Sequence, residues 1–96
     1  MKLSQTEFAN LARSHKSAED HTKLAAHFTA HAAEHEGDAK LLEELSGHSS
    51  GHHKAEAALA AEERHYAAHS REAAEAMRNM AKIHAELAKE HQHAHA

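Results

Sequence analysis

After Gly51 the chain runs for 45 residues to its end without a glycine or a proline. The whole sequence contains 24 alanines, no proline and no valine, and Ile83 is its only isoleucine. Alanine, leucine, glutamate and lysine favour helices, whereas strands favour β-branched and aromatic residues. The sequence therefore predicts an all-α fold, formed by one small domain that spans residues 1–96.

Residues that cap and end helices divide the chain into three predicted helices. Ser4 and Glu7 have the spacing of a capping box, and Ser17 with Asp20 repeats this pattern. Gly47 is suited to follow the end of a helix. The predicted helices span residues 5–13, 18–46 and 51–93, with a loop at 47–50. We expect an antiparallel helical hairpin with a short extra N-terminal helix, forming a three-helix unit or, as a dimer, a four-helix bundle.

Large apolar residues at helical spacing predict which helix faces pack together. On the second helix they include Leu24, Phe28 and Leu45. On the third helix they are Leu59, Tyr66, Met77, Met80, Ile83 and Leu87. This set is small for 96 residues, and the chain has no cysteine with which to form a disulfide. Small domains of this kind usually gain stability from a metal ion or from a second chain.

Charge and hydropathy exclude two classes of partner. The net charge is −4 with neutral histidine, and basic residues alternate with acidic ones, so we expect no nucleic-acid binding. No stretch approaches the ~20 apolar residues of a membrane span. Residues 1–3 are not followed by an apolar segment, so we expect no export signal within this sequence. We expect a periplasmic or exported protein whose signal is absent from this sequence. A cytoplasmic location fits the absence of cysteine equally well.

Four of the 14 histidines form a duplicated pattern. His27 and His31 are four residues apart, and His65 and His69 repeat this arrangement 38 residues later. An aromatic residue follows the first histidine of each pair. Residues i and i+4 lie on one face of a helix, so each pair presents two imidazoles in the same direction.

The predicted hairpin makes the two histidine pairs face each other. A loop at 47–50 aligns residues whose numbers add to about 96 or 97, so His31 faces His65 and His27 faces His69. Four imidazoles suit Zn²⁺, Cu²⁺ or Ni²⁺, which all accept nitrogen ligands. The predicted metal ligands at this level and one level nearer the loop are His27, His31, His65, His69, His35 and Glu62.

A second candidate site combines sulfur and nitrogen donors. Met77, Met80 and His84 lie at positions i, i+3 and i+7, and His15 or His21 could reach them from the other side of the hairpin. Thioether with imidazole favours Cu(I), but methionines at helical spacing are also ordinary core residues. The histidines at 91, 93 and 95 alternate, so they predict a frayed tail that captures metal loosely.

Two segments carry a resemblance to known proteins. Residues 17–25 read S-A-E-D-H-T-K-L-A and residues 81–88 read A-K-I-H-A-E-L-A. From residue 17 onward the chain resembles a family of small bacterial helical-hairpin proteins, mostly uncharacterised and often exported, that share such an opening and such a close. Relatives often have cysteine after the histidine at the position of His69, where this chain has Ser70. The architecture is also similar to that of periplasmic helical metal-binding and metal-resistance proteins, which implies metal ligands on facing helices.

These observations predict a non-catalytic protein that binds copper, zinc or nickel for sequestration, delivery or sensing, and that forms a homodimer. A haem protein with two axial histidines is an alternative, although few large apolar residues are present to line a porphyrin. A di-metal carboxylate oxidase needs two Glu-x-x-His motifs and two more inward acidic residues; Glu62 with His65 is one such motif, and we place this class last. A structural, pH-sensitive assembly module is the remaining alternative, because many histidines would gain charge together on acidification.

Overall fold

The computed structural model describes residues 2–14, 17–48 and 54–94, and these ranges contain three helices and no strand. Helix α1 spans Gln5–Ser14, α2 spans Ala18–His48 and α3 spans Lys54–Ala94. Helices α2 and α3 pack as an antiparallel hairpin, and α1 lies against α2. The all-α fold with a short N-terminal helix is thereby confirmed. None of the described helices has the length and apolarity needed to cross a membrane.

The first two helices begin as their sequences predict. The Ser4 backbone N–H donates to Glu7 Oε1 and the Glu7 N–H donates to Ser4 Oγ, each at 3.2 Å, which is the reciprocal pattern of a capping box. The Ser17 hydroxyl caps α2 by accepting from the Asp20 N–H at 3.2 Å. The predicted end of α2 is wrong by two residues, because the helix includes Gly47 and ends at His48. The remainder of the predicted loop lies outside the described residues.

Alanines at seven-residue spacing form the seam between α2 and α3. On α2, Ala32 and Ala39 are fully buried and Ser46 continues the spacing. On α3 the seam consists of Ala67, Ala74, Ala81 and Ala88, which are 2–8% exposed, and the buried Ala60 continues the spacing toward the start of the helix. A seven-residue repeat keeps one face of each helix toward its partner, and small side chains let the helices approach closely.

Most of the large side chains that the sequence assigns to the packed face of α3 are exposed instead. Leu59, Tyr66 and Ile83 are 57–60% exposed, and Met80 is 37% exposed. On α2, Leu24 and Phe28 are buried as expected, whereas Leu45 is 44% exposed. The predicted apolar face of α3 is therefore wrong in part: alanine occupies the buried positions, while Met77 and Leu87 are half-buried.

Two ion pairs on one side of the hairpin show how the helices are aligned. Arg78 Nε contacts Glu36 Oε1 at 2.7 Å, and Arg71 pairs with Glu43. The residue numbers in each pair add to 114, and those of Phe28 and His84, whose rings stack, add to 112. The predicted value was 96 or 97, so α3 is displaced by about 16 residues, or roughly 24 Å at 1.5 Å per residue.

Candidate metal centre

Eight imidazole and phenyl rings form a continuous array along one side of the hairpin. Neighbouring ring centroids are 4.5–5.8 Å apart. The array consists of His35, His31, His27, Phe8, Phe28, His84, His21 and His91. Six of its eight members are histidines, so the array concentrates nitrogen donors on this side of the molecule.

Three of these histidines form a cluster where α2 begins and α3 ends, called here the terminal cluster. His21 on α2 is 1% exposed, and its Nδ1 lies 2.9 Å from Nδ1 of His84 on α3. The ring centroids of His21 and His84 are 5.2 Å apart, and their planes are 28° apart. The His91 ring lies two helical turns further along α3, 4.9 Å from that of His21. The cluster thus joins the two long helices through imidazole contacts.

The distance between the two Nδ1 atoms suits two kinds of interaction. If one nitrogen carries a proton and the other does not, 2.9 Å is an ordinary hydrogen bond. Two imidazoles bound to one metal ion at roughly 2.0–2.1 Å would have nitrogens about 2.9 Å apart at a right angle, and about 3.4 Å apart at a tetrahedral angle. His21 and His84 could therefore exchange a shared proton for a shared metal ion with little movement.

Phenylalanine rings cover one side of the terminal cluster. The Phe28 ring stacks on His84 with centroids 5.7 Å apart and planes 10° apart. Phe8 from α1 packs its edge against Phe28 at 5.4 Å. The Phe28 ring covers one face of the His84 imidazole and helps to hold its orientation, as groups around a metal ligand commonly do.

The other three histidines, His27, His31 and His35, form a ladder along α2. The His31 and His35 rings stack at 4.8 Å, and those of His27 and His31 are 5.8 Å apart. The Leu3 backbone N–H donates to His27 Nδ1 at 3.0 Å, and Phe8 stacks on the same imidazole at 4.5 Å. His27 therefore anchors α1 to the hairpin.

The environment of His27 favours its neutral form. Burial lowers the pKa of this imidazole below 6.5, and positive charge on His31, Lys2 and the N-terminus lowers it further. The Glu34 carboxylate acts in the opposite direction. A ring nitrogen that accepts the Leu3 N–H cannot also carry a proton, which agrees with the lowered pKa.

We expect acidification to release α1 from the hairpin. Because the folded pKa lies below the unfolded value, the contribution of His27 to stability is present above about pH 6.5 and is lost as the pH falls from there toward the lowered pKa. Amide protection factors in α1, compared at about pH 7.5 and about pH 5.5, measure this loss. His27→Gln keeps an acceptor that does not titrate, so its α1 should lose less protection. Equal losses in the two proteins would contradict this assignment.

The structure does not bring the four predicted metal ligands together. His27 is buried and His31 half-buried beneath the start of α1, whereas His65 and His69 are exposed on α3. In the observed register His31 is level with about residue 81, so it lies roughly 24 Å along the axis from His65. The two histidine pairs therefore do not face each other as predicted, because α3 is displaced along α2.

The remaining predicted ligands are also dispersed. Glu62 is exposed and His35 stacks on His31. Met77 lines a cavity of about 550 Å³ between α1 and the hairpin, together with His27 and Phe28, while Met80 is 37% exposed. Of the second candidate set, His84 does meet His21 as predicted. His15 and His95 lie outside the described residues, as does the side chain of His93.

The sequence pattern did not identify His91 as a neighbour of His21. The alternating spacing of the terminal histidines predicts a frayed tail, yet His91 lies within α3 and contacts His21. The signal that could have revealed it is the spacing of seven from His84, which matches the spacing of Phe28 from His21 on α2. Within the described part of the chain, no group of three or more His, Cys, Asp or Glu residues is arranged to hold a metal ion.

The chain was compared with known proteins at three levels. No protein-family model matches it, and neither a curated protein nor a solved structure matches it significantly.

Proposed function

We propose that this protein binds a transition-metal ion, copper, zinc or nickel, and serves in sequestration, delivery or sensing of that ion. The observation that supports the proposal best is the 2.9 Å distance between Nδ1 of His21 and Nδ1 of His84, on two different helices. An ion bound there would link α2 to α3 and stabilise the hairpin, since it would bind only the folded chain.

The ligand set determines which chemistry is available. Imidazole nitrogen is a good ligand for Cu²⁺, Zn²⁺ and Ni²⁺. His91, whose ring is 4.9 Å from that of His21, is the nearest candidate for a third ligand, and water would complete the coordination. The imidazole ligands are few, so we expect an exchangeable ion, which suits delivery or sensing. Nothing in this arrangement requires catalysis, and we propose no enzymatic activity.

The haem alternative fits this pair of histidines less well. Axial nitrogens on opposite faces of a haem iron are about 4 Å apart, twice an ordinary metal–nitrogen bond, and a porphyrin must fit between them. The Nδ1 atoms of His21 and His84 are instead 2.9 Å apart, with their ring planes 28° apart. That arrangement leaves no room for a porphyrin between these two ligands.

A second candidate function is a pH-responsive assembly module. It is favoured by one specific observation, the lowered pKa of the buried His27 that anchors α1. Under this proposal acidification would release α1 and uncover the apolar cavity that it closes, which includes Leu3, Phe8 and Met77. The protection factors described above for the wild type and His27→Gln test this candidate too.

We also propose that the functional unit is a homodimer.

We expect metal ions to raise the melting temperature of the 96-residue chain after it has been stripped with a chelator. A ligand at 100 times its dissociation constant stabilises a folded protein by about 2.7 kcal/mol, and each kcal/mol raises the melting temperature of a chain this small by about 4–8 °C. His84→Phe keeps a ring beside Phe28 and removes the nitrogen, so the metal-dependent rise should disappear in this variant.

His65→Phe is the matched control for His84→Phe, because it removes an exposed imidazole from the same helix. This variant should keep the full rise in melting temperature. The proposed site would be wrong if His84→Phe kept the wild-type rise, and metal binding itself would be wrong if Cu²⁺, Zn²⁺ and Ni²⁺ all left the wild type unchanged.

A further inference from the structure

Helix α3 carries a second line of residues at seven-residue spacing, one position before each buried alanine. We call this line the α3 stripe, and its members are Leu59, Tyr66, Ala73, Met80 and Leu87. Leu59, Tyr66 and Met80 are 57%, 60% and 37% exposed, while Ala73 and Leu87 are half-buried. Ile83, which is 59% exposed, lies one turn from Met80.

The spacing of the α3 stripe is that of a surface that pairs with another helix. A single exposed apolar residue is ordinary on a protein surface. A seven-residue apolar repeat that continues for four heptads is instead the pattern of a helix-packing seam. Helix α1 packs on α2, and the exposure of Leu59, Tyr66 and Met80 shows that much of the stripe is uncovered in the single chain.

The order of residues in the stripe is symmetric about Ala73. Tyr66 and Met80 lie seven residues to either side of it, and Leu59 and Leu87 lie 14 residues to either side. An interface with two-fold symmetry requires a self-complementary surface, in which residue i meets j and j meets i. We infer that a second copy of this chain packs on the α3 stripe, with the two α3 helices antiparallel and crossing at Ala73.

This arrangement gives every member of the stripe a partner of suitable size. The two Ala73 residues meet at the two-fold axis, where the helices come closest. Tyr66 meets Met80 of the second copy, and Leu59 meets Leu87 of the second copy. Thioether and aromatic side chains make favourable contacts, and the leucines close both ends of the interface.

The size of the stripe indicates how tightly two copies bind. From Leu59 to Leu87 the helix rises roughly 42 Å, and a strip one helix diameter wide offers about 400 Å² on each copy. About 800 Å² in total places the interface at the small end of specific protein contacts. We therefore expect a reversible dimer that dissociates on dilution. This inference depends on the proposed homodimer and adds the surface on which the copies meet.

Sedimentation velocity of the full chain over a range of concentrations, with chelator present, tests the inference. The chelator removes dimers that are bridged by metal. We expect the wild type to shift from 10.5 kDa toward twice that mass as its concentration rises. Tyr66→Glu and Met80→Lys should each be monomeric, because each places a charge against an apolar residue of the second copy.

The double variant, Tyr66→Glu with Met80→Lys, should dimerise again. In the antiparallel arrangement the new carboxylate at position 66 faces the new ammonium at position 80 of the second copy, whereas within one chain these positions are 14 residues apart. Ala68→Glu, which changes an exposed residue outside the stripe, should dimerise like the wild type.

Each failure has a distinct meaning. A wild type that stays monomeric at every concentration overturns the homodimer itself. Single variants that remain dimeric overturn the α3 stripe as its interface. Monomeric single variants whose combination is also monomeric overturn the antiparallel crossing at Ala73.

Discussion

Replacing Phe28 with alanine should destabilise the protein by about 3–5 kcal/mol, the usual cost of removing a buried phenyl ring. Phe28 is 8% exposed, and its ring contacts one ring from each helix: Phe8 on α1, His27 on α2 and His84 on α3. Alanine at this position would leave a cavity that the seam alanines are too small to fill. The loss is a large fraction of the stability expected of any small domain.

Denaturant unfolding followed by circular dichroism measures the effect of Phe28→Ala. The control is Tyr66→Ala, since Tyr66 is 60% exposed. Measured at a concentration low enough to avoid self-association, this control should change the free energy of unfolding by no more than about 0.5 kcal/mol. Similar losses for Phe28→Ala and Tyr66→Ala would show that Phe28 does not join the three helices.

Enlarging a seam alanine should also destabilise the protein, by a smaller amount. Ala32 is fully buried between α2 and α3, so Ala32→Leu would force the helices apart along their contact. Overpacking of this kind costs about 1–3 kcal/mol, which corresponds to a fall in melting temperature of roughly 4–8 °C for each kcal/mol. The widened seam should also weaken the Arg78–Glu36 ion pair on the side of the hairpin.

Ala33→Leu is the matched control for Ala32→Leu, because it makes the same change at the next residue, which is exposed. Leucine and alanine are both good helix formers, so this variant should unfold within about 0.5 kcal/mol of the wild type. If Ala33→Leu were the more damaging variant, α2 would have to present a different face to α3.

Local chemistry made the fold class and the helix starts predictable. The absence of proline and valine excludes most strand-rich folds, and Ser4 with Glu7 forms the capping box that its spacing indicates. These features depend on a few neighbouring residues, so the sequence alone determines them. The end of α2 was less predictable, since Gly47 is compatible with both a helix end and a helix interior.

The alignment of α2 with α3 could not be predicted in the same way. A seam of identical alanines matches itself at every displacement of seven residues, so many registers bury the same side chains. What distinguishes the observed register is contact between distant residues, such as Arg78 with Glu36 and Phe28 with His84. The loop length, on which the predicted register depended, constrains the alignment only weakly.

The alignment of α2 with α3 also determines which histidines come together in the candidate metal site. His27, His31, His65 and His69 form a real duplication in the sequence, but the displaced register puts the two pairs at different levels of the hairpin. The same displacement brings the end of α3 beside the start of α2. His91 then reaches His21, a contact that the pattern of terminal histidines did not indicate.

The proposed metal site can be located most directly by NMR of the histidine imidazoles during titration with Cu²⁺. A paramagnetic ion broadens the signals of the rings that bind it before it affects distant ones. Binding at the terminal cluster predicts that the His21 and His84 signals broaden first, with His91 next, while the exposed His65 and His69 remain sharp until excess metal is added. Broadening of His65 and His69 ahead of His21 and His84 would contradict the proposed site.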